Sequence, residues 1–560
     1  MEISGAELII RFLEYAGVET VTGIPGGASL PIYDALHGSK IRHILAKHEQ
    51  GAGFIAGGMA RASGKPAVCL ASSGPGVTNL ITAVADAKMD SVPLIAITGQ
   101  VPVSLIGTDA FQEIDTLSLS IPITKRSYLV KRTEDLITIL PQAWITSTEG
   151  RPGPVWIDVP KDVASGKVEW DRDKESKYWN IQKNETTKKL DPFWIERFRA
   201  MIAESSKPIF YIGGGLNRPL SAELFRILQE RLTFPVVSTL MGLGICEDQN
   251  PLFIGMLGMH GSRASNMALE ETDLLIALGV RFDDRATGKL SEFSPNAKII
   301  HVDIDATEIG KMKNPNLFLK HDAEDFLRQI LEVKLPQRTA SLEEWKDRIA
   351  TLKVLYGLPF PDEKNALHPF SVIRNVSEIL RDQAIVTTDV GQHQMWVAQY
   401  YSFQTQGSLL TSGGLGTMGF GLPTAIGASL VSPGKRVVCV SGDGSILMNI
   451  QELDTLRELN LDVTILLMNN GHLGLVRQQQ ELFFSSRFSA SRFVTPTNFT
   501  KIASSFGIPS YELKEESSAY ELLSEVFSKK GPSFVVLRVS PELHVLPMVP
   551  PGKANREMIH

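Results

Sequence analysis

Two oxygen-bearing side chains stand 27 positions apart in a setting that suits a cation. Asp443 sits inside Gly442-Asp443-Gly444, and Asn470 closes the pair Asn469-Asn470. Between them lie an amphipathic stretch, Ile446 to Leu459, and a strand-like run, Val463 to Met468. The pattern predicts strand, tight turn, helix, strand, turn, which brings both side chains to one edge of a parallel sheet, where open α/β folds bind ligands. A hard cation such as Mg2+ takes oxygen ligands in near-octahedral geometry and usually shares them with a diphosphate. Asp443 and Asn470 would supply two oxygens, and a backbone carbonyl just beyond them a third. The alternative is an aspartate capping a helix beside an ordinary Asn-Asn loop.

A second candidate group lies far upstream. Lys47-His48-Glu49-Gln50-Gly51-Ala52 places Glu49 between the apolar Ile44 and Leu45 and a helix rich in Gly and Ala. A poorly solvated carboxylate disfavours its charged form and can keep a proton available to a bound heterocycle. The competing reading is a helix N-terminal acid favoured by the dipole.

These groups need strands to hold them, and one pattern recurs three times. Lys65–Leu70 leads into Ser72-Ser73-Gly74-Pro75-Gly76, Lys207–Ile212 into Gly213-Gly214-Gly215, and Lys435–Val440 into Gly442-Asp443-Gly444. Each is a short apolar run, a glycine-rich turn and then helical periodicity. Continuous apolar strands alternating with amphipathic helices predict parallel sheets covered on both faces. The expected fold is α/β, with three doubly wound parallel-sheet domains at 1–165, 191–335 and 368–535. Two polar stretches, 166–190 and 336–367 (the latter with Pro336, Pro359 and Pro361), read as linkers over the surface. Residues 536–560, with Pro547, Pro550, Pro551 and Gly552, read as a tail that wraps a neighbour or covers a site.

Composition narrows the class. A chain of 560 residues exceeds what one core supports. A net charge of −6 gives no reason to expect nucleic acid or an anionic membrane as partner. No apolar run approaches membrane-spanning length. The N-terminus lacks a basic and an apolar signal region, and the three cysteines, Cys69, Cys246 and Cys439, lie in or beside apolar runs without metal spacing. A cytoplasmic location is expected.

The Gly-Asp-Gly to Asn-Asn spacing resembles the thiamine-diphosphate/Mg2+ signature. With Gly23–Gly27, Lys47–Ala52, Ser73–Gly76, Gly107–Glu113, Gly150–Val155, Arg281–Arg285, His301–Asp305 and Gly413–Gly419, all in this order, the chain resembles the large catalytic subunit of acetohydroxyacid synthases (acetolactate synthases) nearly end to end. The resemblance implies a pyrimidine-binding, a central FAD-binding and a diphosphate-binding domain. It implies decarboxylation of pyruvate and transfer of the two-carbon unit to a second pyruvate or to 2-oxobutyrate, giving 2-acetolactate or 2-aceto-2-hydroxybutyrate, the first common step of branched-chain amino acid biosynthesis. The implied cofactors are thiamine diphosphate, Mg2+ and a largely structural FAD.

The same resemblance assigns positions. Glu49 activates the pyrimidine, with Pro75, Asn79 and Gln112 around the cofactor. Val390, Gly391, Gln392 and His393, with Gly444 and Ser445, hold the diphosphate, and Met418 sits under the bent cofactor. Asp443, Asn470 and the backbone carbonyl of His472 bind Mg2+. Gly27, Phe111 and Lys161 border the substrate. For FAD the matching positions are Arg151, Gly213, Gly214, Gly215, Arg263, Arg285, Asp303, Ile304, Asp322 and Ala323. Taken alone, Phe111 reads as core, Lys161 as a surface charge, Met418 as a gap-filler, and the Gly213–Gly215 turn as a packing turn as readily as a phosphate loop. The resemblance also implies a homodimer or higher homo-oligomer with the site at a subunit interface, and a small regulatory subunit.

The chain departs from the family at Gln479, where many members carry tryptophan associated with 2-oxobutyrate preference and herbicide binding. That change, with the Val549–Gly552 tail, most resembles the isozyme I type. Ile24 and His472 replace the commoner Tyr and Glu. Competing readings are a pyruvate oxidase or a simple 2-oxoacid decarboxylase on the same scaffold, and a non-catalytic nucleotide-binding protein of three Rossmann-like units. Glyoxylate carboligase is disfavoured because Glu49 is present.

Overall fold

The computed structural model describes residues 1–171, 173, 175–181, 188–336, 340–358, 367–514 and 519–560. Three six-stranded sheets follow one another along the chain, and every strand pair within them is parallel. The first comprises Thr20–Gly23, Arg42–Leu45, Ala67–Ala71, Leu94–Gln100, Arg126–Leu129 and Val155–Pro160. The third comprises Ala384–Thr388, Leu409–Leu410, Arg436–Gly442, Val463–Asn469, Ser510–Leu513 and Ser533–Arg538. Counted along the chain, both have the spatial order 2-1-3-4-6-5. The middle sheet comprises Pro208–Ile212, Val236–Ser238, Phe253–Met256, Leu274–Leu278, Lys298–Asp303 and Leu317–Lys320, in the order 3-2-1-4-5-6. The three units expected from the sequence are therefore two alike and one different.

Their strands form for the anticipated reason. Ala67–Ala71, Pro208–Ile212 and Leu274–Leu278 are buried along their whole length, as strands covered on both faces must be. Several helices start on side-chain caps. Ser4 and Glu7 form a capping box, Asp191 caps Pro192–Glu204, and Asp322 caps Ala323–Glu332. The helix expected across Ile446–Leu459 is instead two pieces, Asp443–Ile446 and Glu452–Leu459, joined by a turn that carries Asn449.

The first and third domains meet through helices Glu49–Ser63 and Gly421–Val431. A side chain on Gly58 would collide with the Thr424 carbonyl, and one on Gly427 with the Ile55 carbonyl, so these glycines let the two backbones touch.

The stretches read as linkers carry structure where they are described. Strand Lys167–Glu169 pairs antiparallel with Glu2–Ser4, and Trp170 and Trp179 stack in the first domain's core, ring centroids 4.7 Å apart. Helix Ala340–Tyr356 packs on the middle domain, with Trp345 buried and its Nε1–H donating to the Pro208 carbonyl at 3.1 Å. Residues 172, 174, 182–187, 337–339 and 359–366, with Pro359 and Pro361, lie outside the described residues. The third sheet's last strand reaches Arg538. The tail beyond returns to the middle domain, where the Val549 N–H donates to the Met259 carbonyl and Asn555 Nδ2 to that of Ala286. Among the described residues no helix is long and apolar enough to cross a membrane. All three cysteines are free and buried, and burial pushes the Cys69 and Cys246 thiols up to about 12.

Candidate active site

In the third domain the chain order reverses beside Ala384–Thr388, and the loops that leave the carboxyl ends of its strands converge there. Asp443 follows Arg436–Gly442, and Asn470 follows the neighbouring strand Val463–Asn469. Asp443 is buried. Desolvation pushes its carboxyl up to about 6, against the backbone N–H groups of Gly471 and Asn470, which favour the anion. The Asn470 side-chain oxygen accepts from the His472 N–H at 2.9 Å, curling the turn back on itself. Asp443 and Asn470 also border a cavity of about 500 Å³ lined in part by Phe493, Thr497 and Arg538.

His393 is buried against two glycines. A Cβ on Gly391 or Gly442 would lie 2.7 or 2.9 Å from its ring. Burial pushes its pKa down to about 3, and among the described residues its Nε2 has no partner. An unpartnered buried ring nitrogen beside a glycine-lined turn leaves a polar position open to a ligand. Ser445 Oγ donates to the Val390 carbonyl at 2.8 Å, tying the two turns together. Both amide hydrogens of the Gln392 side chain are already used within the protein, which leaves none for a phosphate. Sequence reasoning passed over Asp389. It is fully buried and pushed up to about 6 by desolvation, and it accepts from the Val390 and Gly419 N–H groups and from Ser441 Oγ. It thereby fixes the Val390 turn and the loop after Met418 with one carboxylate. Its signal was visible in the run Asp389-Val390-Gly391-Gln392-His393, which it opens.

In the first domain Glu49 begins helix Glu49–Ser63, and His48 caps it by accepting from the Gln50 N–H. Asn79 Nδ2 donates to Glu49 Oε2 at 3.0 Å, so the structure joins two of the predicted residues. Gly74, with φ +61°, packs against Gln112, and a Cβ there would lie 3.0 Å from the Gln112 backbone. The Gly107–Glu113 loop closes on the Glu113 carboxylate, which accepts from the N–H groups of Gly107, Thr108 and Ala110. Asp109 and Gln112 both hold positive φ there, strain of a kind that collects at functional sites. Phe111 projects from this loop 88% exposed, so it is not core. Gly27 and Lys161 are exposed as well.

The middle domain has its own switch point, between Pro208–Ile212 and Leu274–Leu278. The Gly213–Gly215 turn lies across Gly279, since the Gly215 N–H donates to its carbonyl and a Cβ on Gly213 or Gly215 would strike it. Close backbone packing is thus reason enough for those two glycines. Around this edge Tyr211 Oη, Ser238 Oγ, Thr239 Oγ1 and His260 Nδ1 are buried without partners among the described residues, which suits an elongated polar ligand. Thr239 and His260 were missed in the sequence, although Thr239 directly follows a strand. Asp303 is pushed up to about 6 by burial, and Ile304 follows it. Arg151 pairs with Asp305 and Glu308 at 3.2 and 2.9 Å. Arg263 lies against His560 and over the Tyr356 ring, and Arg285 is exposed beside Asp284. Asp322 is committed to capping the helix that starts at Ala323 and to Arg218.

Three doubly wound parallel sheets, with an Asp–Asn pair at the edge of one and an amide-held glutamate at the edge of another, fit the class of thiamine-dependent enzymes. Models of the thiamine pyrophosphate enzymes match the chain in order: the N-terminal TPP binding domain at residues 3–119, the central domain at 195–330 and the C-terminal TPP binding domain at 389–537. The chain is 50% identical to the acetolactate synthase isozyme 1 large subunit of Escherichia coli over 99% of its own length and 97% of that protein. It is 42% identical to the isozyme 2 large subunit of the same organism, over 100% and 99%, and 42% identical to the chloroplastic acetolactate synthase of Arabidopsis thaliana, over 99% and 84%. The chain belongs to the acetolactate synthase large-subunit family, the thiamine-diphosphate-dependent carboligases of branched-chain amino acid biosynthesis.

Proposed function

We propose that this chain decarboxylates pyruvate and joins the two-carbon unit to a second 2-oxoacid, pyruvate or 2-oxobutyrate. The observation that carries the reading is the placement of Asp443 and Asn470 at the carboxyl ends of adjacent strands, beside the unpartnered His393 Nε2. Thiamine diphosphate, when bound, supplies the nucleophilic carbon and the electron sink for both half-reactions.

The chain's own residues do the rest. Asp443, the Asn470 side chain and the His472 carbonyl hold Mg2+, while the Val390–His393 turn, Gly444 and Ser445 hold the diphosphate. Glu49, aimed by Asn79, holds a proton at the pyrimidine ring. Met418 would support the bound cofactor's ring, with Pro75 and Gln112 bordering it. Gly27, Phe111 and Lys161 line the substrate entrance, and donors near Gly27 and Gln112 stabilise developing alkoxide charge.

The Gly213–Gly215 turn and its unpartnered neighbours Ser238, Thr239 and His260 support FAD in the middle domain, with Arg151, Arg263, Arg285, Asp303, Ile304, Asp322 and Ala323 around it. The exposure of Phe111 supports a second copy of the chain completing the site. The name "large subunit" carried by relatives supports a small regulatory partner, and the reading carries a cytoplasmic location with it. The experiment is a product assay on pyruvate, with and without 2-oxobutyrate, omitting one cofactor at a time. Acetolactate is expected; acetyl phosphate, acetate or acetaldehyde as the main product would replace the reading with an oxidase or a decarboxylase.

A further inference from the structure

The corner Met89-Asp90-Ser91 touches all three domains. Asp90 accepts from the backbone N–H groups of Gly413 and Gly414 in the third domain, at 3.1 and 2.7 Å. The Met89 carbonyl accepts from Arg281 of the middle domain at 2.7 Å. Ser91 Oγ accepts from Arg151 Nε at 2.8 Å, and Arg151 in turn pairs with Asp305 and Glu308.

One helical turn earlier, Asp86 is wholly buried. Its Oδ1 accepts from the Ser412 hydroxyl and, at 3.4 Å, from that of Thr417. Arg61 Nη2 bridges Asp86 and Asp90 at 2.8 Å each, and its guanidinium lies 4.9 Å from the Phe420 ring centroid.

The loop 412–420 is thus clasped from both sides. On its own domain's side the Gly419 N–H donates to Asp389 Oδ1 at 2.8 Å, and the Gly419 carbonyl accepts from Asn449 Nδ2 at 2.7 Å. Within the loop, the Thr417 N–H donates to Ser412 Oγ at 2.9 Å. Met418 stands between these two fixed points. Burying two carboxylates around one guanidinium is a poor way to gain stability, because desolvation offsets the attraction. It is a good way to fix direction, because each partner accepts only at set angles.

We infer that Asp86 and Asp90, bridged by Arg61, are positioning residues that set the height of Met418 beneath the cofactor ring, so that the first domain of a chain adjusts the third domain of that same chain. The inference rests on the reading of Met418 given above. None of the three residues is needed to contact cofactor or substrate.

The test uses the full-length holoenzyme reconstituted with thiamine diphosphate, Mg2+ and FAD. Two readouts are taken: deuterium exchange at C2 of the bound cofactor, followed by proton NMR after acid quench, and kcat and KM for pyruvate. Asp90→Asn and Ser412→Ala are each expected to slow exchange about ten- to a hundredfold, since misplacement of about an ångström costs that order. The value of kcat falls in step, while KM for pyruvate stays near the wild-type value. Ser412→Ala removes one hydroxyl without burying a charge, so it decides the matter if Asp90→Asn does not fold. Met418→Ala is the control. Slow exchange in Met418→Ala with wild-type exchange in Ser412→Ala and Asp90→Asn overturns the inference alone. Wild-type exchange in Met418→Ala removes the role of Met418, and the inference with it.

Discussion

The side-chain amide of Asn470 donates to the carboxamide oxygen of Gln392 at 3.1 Å, across 78 positions of chain. Gln392 Nε2 then donates to Gln478 Oε1 at 3.1 Å and to the Leu543 carbonyl at 2.7 Å. Gln478 closes on the tail, donating to the Val545 carbonyl and accepting from the Val545 N–H. A buried run of amides therefore joins the proposed cation ligand to the C-terminal tail.

Replacing Gln478 by Met keeps the volume and breaks that run. The Val545 N–H loses its acceptor, a cost of about 1–3 kcal/mol. Groups that orient a metal ligand are worth about ten- to a hundredfold in metal affinity. Thermal unfolding should shift down, and the Mg2+ midpoint of activity should rise by about tenfold. An unchanged midpoint would detach Asn470 from the cation.

Asp158 gives a stability prediction that depends on pH. Burial pushes its carboxyl up to about 7, although Thr98, Gln100 and Thr116 donate hydrogen bonds to it. The folded state therefore holds a proton that the unfolded chain releases near pH 4. Stability from this group is fully present below that unfolded value and is lost as pH rises through about 7. Urea titrations between pH 4 and 8 should show a downward slope that Asp158→Asn flattens. An identical slope in both proteins would assign it elsewhere.

Glu49→Gln keeps the Asn79 contact and removes the proton carrier. Turnover should fall by about 10²–10⁴-fold, with thermal stability and thiamine diphosphate affinity close to wild type. Asn79→Ala should lose less, because it only frees the carboxylate to rotate. Near-normal turnover in Glu49→Gln refutes the assignment.

Gln479 is exposed on helix Gly474–Phe483, next to the buried Gln478. An aromatic contact of this kind discriminates substrates by about 1–3 kcal/mol. In competition between pyruvate and 2-oxobutyrate, Gln479→Trp should raise the share of 2-aceto-2-hydroxybutyrate by tenfold or more and increase herbicide sensitivity. A constant product ratio would remove Gln479 from the substrate pocket.

The local pattern of the chain was enough to read the parallel sheets and to bring Asp443 and Asn470 to one edge, because both follow from buried strands ending in turns. Strand order was not readable. The middle sheet winds differently from its neighbours although its first strand and glycine turn look the same. Nor was the role of Gln392, whose side chain serves Asn470 and the tail, or that of Asp389. Such contacts join residues far apart in the chain and leave no trace in periodicity. Trp170, Trp179 and Trp345 made the same point in the polar stretches, where composition signalled surface and single aromatic side chains anchored the backbone to a core.

The most direct test of the Asp443–Asn470 site is a Mg2+ titration of acetolactate formation from pyruvate, after chelation and with saturating thiamine diphosphate, in the wild type and in Asp443→Asn. The wild type should make no acetolactate without the cation and saturate as it is added, and Asp443→Asn should need at least about tenfold more. Wild-type output in the absence of a divalent cation, or the same midpoint in both proteins, would contradict the account.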